Sequence, residues 1–494
     1  MGIIQKQATR NTFISYIGLI LGYVNIIILF PTYFTEEEFG LIQLMMSIAI
    51  IYTQFSALGL VSIIVRFFPF FKSEDKKHQG FISWVTLIAI AGFIIVTLLY
   101  IIFQPLIVDA YLEKSKLFLE YYHFVIPLAF FILMYSVFES ITRSVHKTVF
   151  SAFLRDVGFR LLVTIGIFLF YLKYLTYEQF IIYYFLGFAL ISFLLLLQII
   201  FIKQFKFFID FKSIKFSKVR EILKYGLFTL LAGSSYFLAQ NIDKIMLGSL
   251  VGLEVVAVYA VFMYIATVIA FPARSLYRIA VPVITECWKN NDTKQIYELY
   301  KRISLILMIL GSIIYIGILV NMDNLLYFLH PDYRYGFMFF VFLGLSFLID
   351  ITGGINSDII STSKFFRYDT LFNVIYMVFC VGLNLIFIPL YGGMGAAIAT
   401  ALSMTTFNFM KWLFLKVKYN MQPFGLKNLI VILIAFVSLV VGWYLPVIVN
   451  VYVDILYRSS ITAGIYFTLV YMFRLSDDVN ERIRLYLSKL TIKT

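Results

Sequence analysis

The stretch NIDKIMLGSLVGLEVVAVYAV, residues 241–261, places an acid and a base side by side in an otherwise apolar run. Asp243 and Lys244 would each cost about 2.5 to 3.5 kcal/mol at the centre of a bilayer on insertion scales. A membrane segment that keeps Lys244 can use its ammonium to bind an anion. The lysine can also extend to the membrane surface with Asp243 as its counter-ion, and the sequence leaves both interpretations open.

Polar residues around this pair share one side of the predicted helix. Gln240, Asn241, Lys244 and Gly248 fall on one stripe by their spacings of three, four and seven. A polar stripe on a membrane helix should face protein or water and not lipid. We therefore expect Gln240, Asn241 and Lys244 to line a cavity and to contact its ligand.

Two acid–base pairs are spaced for helical ion pairs. Glu139 precedes Arg143 by four positions, and Asp156 precedes Arg160 by four. The acid lies nearer the N-terminus in both pairs, which is the favourable order. Either both form as intrahelical ion pairs, or their charges serve the site, with Glu139 as a candidate counter-ion and Arg160 as a candidate contact for an anionic ligand; the sequence leaves both alternatives open.

Three more arginines are candidate anion contacts. Arg155 and Arg66 have no acid three or four positions away, and Arg66 lies close enough to the inner interface to extend to it. Arg274 follows Pro272 at the inner end of a predicted span, where the ordinary excess of cytoplasmic bases explains it equally well.

Asp350, in FLIDITGGINSDI, is an acid without a base nearby in the sequence, whereas Arg155 and Arg66 are bases without a nearby acid. It is predicted either to pair across helices with a cation such as Lys244 or Arg274, or to titrate as a coupling site. The pair is the favoured alternative.

The composition defines the class of protein. Of 494 residues, 62% are hydrophobic and 14% are charged, and the mean hydropathy is +0.92, against roughly 45 to 50% apolar residues in soluble domains. The two cysteines, Cys287 and Cys380, form no metal-ligand pattern. The chain contains no Gly-Lys dipeptide and hence no Walker A loop. We expect an integral membrane protein without metal or cofactor, and without direct use of ATP.

Apolar runs of roughly 20 residues, the length that crosses a bilayer, predict fourteen transmembrane helices. They are residues 12–31, 40–70, 80–104, 118–142, 149–172, 177–202, 222–248, 252–275, 299–322, 335–358, 369–390, 393–415, 426–447 and 452–473. The first lacks a small-residue cleavage motif and is predicted to be retained.

The distribution of lysine and arginine predicts the orientation. Most of the 40 basic residues fall on one side when the N-terminus is cytoplasmic. The predicted outer loops hold Lys114, Lys116, Lys173, Arg334 and Arg458. Both termini are therefore predicted to be cytoplasmic. The net charge of +13 is mainly this topology signal, and nucleic-acid binding is not expected.

The spans group into five predicted parts. They are an N-terminal lobe of helices 1–6 (1–203), a basic amphipathic cytoplasmic linker (204–221), a C-terminal lobe of helices 7–12 (222–418), helices 13–14 (419–473) and an amphipathic cytoplasmic tail (474–494). The linker alternates lysine with phenylalanine and isoleucine, which is typical of a segment lying on an anionic leaflet. Two sets of six spans in one orientation indicate parallel repeats.

Three motifs carry a family resemblance. EEEFGLIQL (36–44), the DKIMLG…EVVAVYAV turn and GLNLIFIPLYGGMGAAIATA (382–401) resemble the polysaccharide-transport branch, the oligosaccharide or O-antigen flippases, of the multidrug, oligosaccharidyl-lipid and polysaccharide exporter superfamily. The resemblance implies an all-α polytopic fold with about 14 transmembrane helices, in which two six-helix lobes surround a central cavity and two helices follow. The Gly and Ala residues of 392–399 are predicted to form a helix-packing face.

The implied activity suits the cations. A diphosphate joining a polyprenyl tail to sugars accepts hydrogen bonds from Arg and Lys. We expect a flippase of the bacterial cytoplasmic (inner) membrane that moves polyprenyl-diphosphate-linked oligosaccharides outward by alternating access, for surface polysaccharide or lipopolysaccharide synthesis. The alternatives are a flippase for the lipid-linked peptidoglycan precursor and a cation-coupled multidrug exporter of the same superfamily.

The sequence also bears on whether the protein is an enzyme and on its expected partners. An enzyme is not expected, because the longest predicted outer loops run only about a dozen residues and leave no room for a catalytic domain. The expected partners are the lipid-linked oligosaccharide, membrane lipids and other polysaccharide-assembly proteins, and the expected state is a monomer.

Overall fold

The computed structural model describes residues 2–73, 78–203 and 216–481. Within these ranges the regular structure is helical and no strand occurs. A chain in lipid must satisfy each backbone N–H and C=O internally, which a helix does within its own segment. Eleven of the described helices are long and apolar enough to cross a membrane. The predicted class, an all-α polytopic membrane protein, is confirmed.

The helices form two compact units. Unit 1 consists of Met1–Val261 and Ile388–Gly393, and unit 2 of Phe262–Phe387 and Met394–Thr494. The two units are defined by which residues contact each other, whereas the predicted lobes are defined by a repeat of six spans. The lobe boundaries therefore stay a prediction.

The helices of unit 1 are α1 (Gly2–Tyr23), α2 (Phe30–Tyr33), α3 (Glu36–Ser56), α4 (Leu60–Phe71), α5 (Phe81–Ile102), α6 (Gln104–Tyr111), α7 (Lys116–Tyr121), α8 (Val125–Ser144), α9 (Val149–Phe153), α10 (Phe159–Tyr171), α11 (Tyr177–Phe201) and α12 (Phe216–Leu250). Helix α13 (Leu253–Ala266) begins in unit 1 and ends in unit 2. Two π-helical turns, Val24–Leu29 and Leu154–Gly158, interrupt the early spans.

Unit 2 continues with α14 (Phe271–Lys289), α15 (Thr293–Val320), α16 (Met322–Phe328), α17 (Phe337–Thr352), α18 (Asn356–Thr362), α19 (Phe366–Tyr419), α20 (Leu426–Trp443) and α21 (Val451–Met472). Short 3-10 turns at His78–Gly80, Tyr122–Phe124, Thr267–Ala270 and Pro331–Gly336 connect neighbouring helices.

Helix α19 contains a break that the sequence motif anticipates. A straight helix of 54 residues would be about 80 Å long, far more than the roughly 30 Å of a bilayer core. Gly392 adopts φ 58° and ψ −132°, a conformation that side chains other than glycine avoid. The break separates the predicted spans 369–390 and 393–415. Ala396, Ala397 and Ala399 beyond it are fully buried, as expected for a packing face.

The count of fourteen spans stays a prediction. The described residues contain three fewer long apolar helices than the fourteen predicted spans. Span 149–172 is divided by the π turn into α9 and α10, spans 369–390 and 393–415 are joined in α19, and span 452–473 corresponds to α21, which carries Asp454 and Arg458.

Each unit has its own apolar core. In unit 1 the core is built mainly by α4, α5, α8 and α11, with Ile64, Phe68 and Leu133 fully buried. In unit 2 it lies among α15, α20 and α21 and includes Ile309 and Tyr466. These cores fix the helices that hold the polar residues described below.

Two side-chain contacts agree with the alternating topology. Within unit 1, Asn11 in α1 donates to Thr148 before α9 at 2.9 Å. Within unit 2, Arg302 in α15 pairs with Asp478 beyond α21. Each contact joins two segments that the predicted topology places on one side of the membrane.

Two amphipathic predictions fall largely outside the described residues. Residues 204–215 of the predicted linker and 482–494 of the predicted tail are not described. The linker's last residues, from Phe216, form the start of α12. In the tail, Val479 packs against the core of unit 2, and the amphipathic tail stays a prediction.

Candidate functional site

Asp243 and Lys244 do not form the pair that their adjacency suggests. The Asp243 carboxylate is buried and accepts a hydrogen bond from the Tyr259 hydroxyl of α13 at 2.6 Å. Lys244 is half-buried, and its ammonium has neither a hydrogen bond nor an ion pair with any residue that the structure describes. Asp243 is therefore a structural link between α12 and α13, while Lys244 keeps its charge available.

Neighbouring segments of unit 1 hold the end of α12 in place. The Tyr111 hydroxyl donates to the Ile245 carbonyl at 3.0 Å, and the Ser115 hydroxyl donates to the Gly248 carbonyl. The Gly248 carbonyl is among the last four of α12, which have no partner inside the helix, and the Tyr111 bond adds a second contact one turn earlier. Lys244 thus sits on an anchored segment and not on a mobile end.

The predicted polar stripe divides between two roles. Asn241 is buried and its amide donates to the Phe237 carbonyl one turn earlier at 2.9 Å. Gly248 packs against Leu44, whose nearest atom would lie 3.0 Å from an added Cβ. Gln240 is half-buried like Lys244. The lining role remains a proposal for Gln240 and Lys244, whereas Asn241 and Gly248 serve packing.

A charged cluster joins α8 to the π turn before α10 in unit 1. Glu139 accepts from Arg155 at 2.9 Å and lies 3.6 Å from Arg143, and Arg155 also contacts Asp156 at 3.0 Å. The Glu139–Arg143 pair predicted from spacing is thus present, and Arg155 joins it. The two arginine side chains are about half exposed, at 50% and 51%, while both acids are 16% exposed. The guanidinium groups can therefore reach an anion without breaking the cluster.

The predicted Asp156–Arg160 pair is wrong. Asp156 accepts from the Ser15 hydroxyl at 2.8 Å and contacts Arg155, while Arg160 donates to the Gly18 carbonyl of α1. The π turn over Leu154–Gly158 has a wider repeat than an α-helix, so residues four apart there no longer share one face. Arg160 is thereby committed to holding α1.

The other two arginine candidates stack on aromatic rings. The Arg66 guanidinium lies 4.3 Å from the Tyr225 ring centre, and that of Arg274 lies 5.2 Å from the Phe271 ring centre. Both side chains are exposed. Such stacking holds the cation near the ring face without neutralising it.

Unit 2 contains a buried lysine that the sequence reasoning did not single out. Lys411 of α19 is 3% exposed. Its ammonium donates to the Ser357 hydroxyl at 2.9 Å, lies 3.8 Å from Asp369, and sits 3.5 Å from the Phe407 ring centre. Ser357 in turn donates to Asp369 at 2.8 Å. The cation is thus enclosed and satisfied by groups of α18 and α19.

Asp350 belongs to the same cluster through amide groups. It accepts from the Asn408 amide at 3.1 Å, whose oxygen accepts from Asn356 at 3.0 Å. The Asn356 oxygen accepts from the backbone N–H of Ser357 at 2.6 Å. A continuous hydrogen-bond chain therefore links Asp350 to Ser357, which also contacts Lys411. Within unit 2, Asp350 therefore has an amide as its hydrogen-bond partner, and the cation that acts on it is Lys411 and not the predicted Arg274.

A glycine pair shapes this cluster. Gly353 and Gly354 separate α17 from α18, and Gly354 adopts φ 63°, which glycine tolerates without strain. A Cβ on Gly353 would lie 2.5 Å from the Asn408 oxygen and 2.8 Å from the Asn356 nitrogen. Only glycine leaves room there for the amide bridge.

Asp358 completes the cluster on α18, between the span that ends at Thr352 and the helix that begins at Phe366. Burial raises the pKa of Asp358 to about 6, with Asp369 adding to the rise and the Lys411 charge opposing it. Its proton can therefore leave near neutral pH.

With this geometry established, the sequence comparison decides the family. Residues 5–288, more than half of the chain, match the family described as polysaccharide biosynthesis protein. The chain belongs to the polysaccharide biosynthesis protein family. An uncharacterized membrane protein of Methanocaldococcus jannaschii is 23% identical over 471 residues, covering 89% of each chain.

Solved structures share the fold of this chain. The lipid II flippase MurJ in an inward closed conformation matches with a TM-score of 0.74 and 18% identity, over 94% of this chain and 98% of that chain. An inward-facing multidrug resistance MATE family transporter of the MOP superfamily matches with a TM-score of 0.62 and 14% identity, over 83% of this chain and 94% of that chain. At 18% and 14% identity, these similarities show that the fold is shared.

Among the described residues, unit 2 contains cavities in two places. One of about 690 Å³ lies among α15, α17, α19 and α20 and has Asn408 in its wall. Another of about 850 Å³ lies between α14, α15 and α21, with the Arg302–Asp478 pair at its edge. Their walls are largely apolar, so they suit hydrocarbon chains better than sugars.

Sequence reasoning also misplaced Arg458. It was assigned to an outer loop, but it is buried in α21, where it donates to Asp454 at 2.7 Å and to the carbonyl of Leu445 at 2.9 Å. Asp454 also accepts from Asn324 at 2.6 Å. The spacing of four between Asp454 and Arg458 was the available signal. A neutralised arginine carries no weight in a count of outer bases, which strengthens the predicted charge asymmetry.

Proposed function

We propose that this protein moves polyprenyl-diphosphate-linked oligosaccharides from the inner to the outer leaflet of a bacterial cytoplasmic membrane. The family, which is named for polysaccharide biosynthesis, and the fold shared with a lipid flippase support a transporter in such a pathway. The observation that carries the proposal is Lys244, a cation on a membrane-spanning helix whose ammonium has no hydrogen bond or salt bridge among the described residues.

The diphosphate supplies what Lys244 lacks. An unpaired charge in a membrane segment is costly, and a phosphate oxygen would satisfy it with a charge-assisted hydrogen bond. Arg155, half exposed in its cluster, is the second anion contact that we propose. Arg66 and Arg274 are exposed and can guide an anionic headgroup by their charge.

Sugars require a protein route. Each hydroxyl taken into hydrocarbon without a partner costs on the order of 2 to 7 kcal/mol, so several sugars together cannot cross unaided. In the proposed mechanism the headgroup crosses by alternating access while the isoprenoid tail stays in lipid. A membrane potential of about 100 mV, negative inside, assists export by about 2.3 kcal/mol per negative charge.

The alternatives differ in cargo. The fold of MurJ, a lipid II flippase, makes the lipid-linked peptidoglycan precursor the second candidate, because it also carries an anionic headgroup. A multidrug exporter for cations would need a carboxylate that is available to the drug. Asp350 is hydrogen-bonded to Asn408 and Asp369 is paired with Lys411, so unit 2 does not favour that activity.

Complementation can distinguish these cargoes. The gene should restore surface polysaccharide in a strain that lacks its own oligosaccharide flippase and fail to rescue a strain depleted of its lipid II flippase. Protein abundance in both strains is checked by immunoblot. Rescue of the lipid II strain alone would replace the proposed cargo with the peptidoglycan precursor.

We also propose that both termini face the cytoplasm, because lysine and arginine dominate the corresponding loops. Cysteine labelling in intact cells tests this orientation, and the two native cysteines are buried. Lys114→Cys should react with an impermeant maleimide, whereas Asn290→Cys should react only after the cells are opened. The opposite pattern would reverse the proposed direction of transport.

A further inference from the structure

The cavity of about 690 Å³ among α15, α17, α19 and α20 suits only an apolar occupant. Six polar side chains lie in its wall, and each already has a hydrogen bond within the protein: Ser312, Tyr315, Thr352, Thr405, Asn408 and Trp412. An ordered water needs about two to four polar partners, and a sugar needs more. Hydrocarbon can therefore fill this cavity better than water or sugar.

The length of the cavity is close to the depth of one bilayer leaflet. Its wall on α15 runs from Met308 to Ile316, and its wall on α20 runs from Ile432 to Leu439. Helical segments of this length rise about 11 to 12 Å, and half of a hydrocarbon core is roughly 15 Å thick. The cavity therefore has the length to hold one acyl chain of a phospholipid.

Large apolar side chains of the wall are exposed on the surface of unit 2. Phe409 of α19 and both Ile432 and Phe436 of α20 line the cavity, and more than half of each side chain is exposed. These residues lie on membrane-spanning helices, where exposed apolar side chains face hydrocarbon. A lipid chain can therefore enter from the bilayer without crossing a polar surface.

Trp412 marks the end of the cavity that lies nearest the end of α19. Trp412 and Phe424 line this end, and the Lys416 ammonium lies 5.0 Å from the Trp412 ring centre. The Trp412 indole donates to the side chain of Gln422, whose backbone carbonyl accepts from the Tyr297 hydroxyl of α15 at 3.1 Å. Gln422 therefore connects two aromatic rings beside the mouth of the cavity.

Each of these two rings carries a lysine. The Lys301 ammonium lies 4.2 Å from the Tyr297 ring centre, as that of Lys416 lies beside Trp412. Both lysines are exposed, and neither forms a salt bridge with any residue that the structure describes. Stacking on a ring positions an ammonium without neutralising it. Two cations are thus held at the mouth of an apolar cavity.

We propose that this cavity and its mouth bind one anionic phospholipid of the bilayer. One acyl chain lies in the cavity, and the headgroup phosphate lies at Lys301 and Lys416, which donate charge-assisted hydrogen bonds to it. Basic pockets between membrane helices on the cytoplasmic side recognise anionic headgroups in this way, and the mouth lies at the end of α19 that we propose to be cytoplasmic. The inference concerns a lipid of the bilayer and holds for any cargo.

Trp412 can report the lipid, because bromine atoms on an acyl chain quench indole fluorescence at short range. The chain contains four tryptophans, so replacing Trp84, Trp288 and Trp443 by Phe leaves Trp412 alone in the full-length protein. This protein, in detergent micelles, is titrated with phosphatidylglycerol or phosphatidylcholine that carry identical brominated chains. Half-quenching should need roughly 20-fold less phosphatidylglycerol, since each lysine near an anionic headgroup contributes about a factor of five.

Variants of the mouth and of the wall separate the two parts of the site. The Lys301→Gln/Lys416→Gln double variant should lose the preference for phosphatidylglycerol. Lys289→Gln should keep it, because this exposed lysine lies on α14, which does not line the cavity. Ala435→Phe should fill part of the cavity and reduce the maximal quenching by either lipid. If that variant does not fold, Ala435→Leu takes its place.

Two further measurements distinguish other occupants. A protein that keeps only Trp443, which is exposed at the end of α20, should be quenched equally by both lipids. Equal quenching of Trp412 by the two lipids, or the same preference at Trp443, would overturn the proposal. Displacement of brominated phosphatidylglycerol by less polyprenyl phosphate than unbrominated phosphatidylglycerol would assign the cavity to the tail of the cargo and would also overturn it.

Discussion

Two lysines in membrane-spanning helices have opposite surroundings. Lys411 in unit 2 is 3% exposed and is enclosed by Ser357, Asp369 and an aromatic ring. Lys244 in unit 1 is half-buried and has no hydrogen bond or salt bridge among the described residues, so that only the charge of the adjacent Asp243 acts on it. A cation that already has hydrogen bonds and a salt bridge within the protein has a structural role. A cation that has neither is available to bind an external anion.

The acids of the two units differ in the same way. In the Glu139 cluster of unit 1 two arginines face two acids, and both arginines remain half exposed. In the Lys411 cluster of unit 2 one lysine faces three aspartates. The Glu139 cluster is therefore balanced in charge but keeps its cations exposed and its acids covered, whereas the Lys411 cluster contains more acids than cations. We expect anion binding in unit 1.

The largest effect is expected for export by variants of Lys244. Lys244→Ala should reduce surface polysaccharide to the background of the flippase-deficient strain, because the phosphate loses its cation. Lys244→Arg should retain much of the export, since the charge remains. Asp243→Asn should be milder, because an amide oxygen can still accept from Tyr259. Full export by Lys244→Ala at equal protein abundance would show that the lysine only extends to the membrane surface.

Replacing each of the two lysines should change the free energy of unfolding by clearly different amounts. Lys411→Met should lower the free energy of unfolding by about 3 to 5 kcal/mol, the usual cost of removing one partner of a buried pair. Lys244→Met should be neutral or stabilising, because it removes an unpaired charge. Thermal unfolding in nanodiscs measures both, with Lys416→Met as an exposed control. Equal losses for the two variants would end the distinction between them.

The smallest effect concerns pH. The raised pKa of Asp358, about 6 against an ordinary 3.8, means that the folded protein binds this proton more tightly than the unfolded chain. Stability should therefore fall as pH rises from about 4 to about 6, by up to about 1.4 kcal/mol per pH unit. Asp358→Asn should remove this part of the slope in melting temperature against pH. An identical slope in wild type and variant would exclude Asp358 as the titrating group.

The fold class followed from composition and the length of apolar runs, since lipid permits few other structures for such a chain. Contacts between distant helices did not follow. The π turn at Leu154–Gly158 redirected Asp156 to Ser15 and Arg160 to Gly18, and no local pattern revealed that turn. Spacing succeeded for Glu139 and Arg143, which lie in a regular helix.

The candidate site was found only in part. The cost of a charge in lipid identified Lys244 and Asp350, but Lys411, under the same rule, was passed over inside its apolar run. Its partner Asp369 lies 42 positions earlier at the start of the same α19, on the other side of the break at Gly392. Local sequence spacing cannot predict a contact between two parts of one helix that lie on opposite sides of such a break.

The central claim is tested most directly with purified protein in proteoliposomes that contain a polyprenyl-diphosphate-linked oligosaccharide. Digestion by an impermeant glycosidase measures how fast the sugar reaches the outer surface. The account predicts rapid exposure with the wild type and Lys244→Arg, and only the slow rate of protein-free liposomes with Lys244→Ala. Wild-type protein that is no faster than empty liposomes, or Lys244→Ala that matches the wild type, would contradict it.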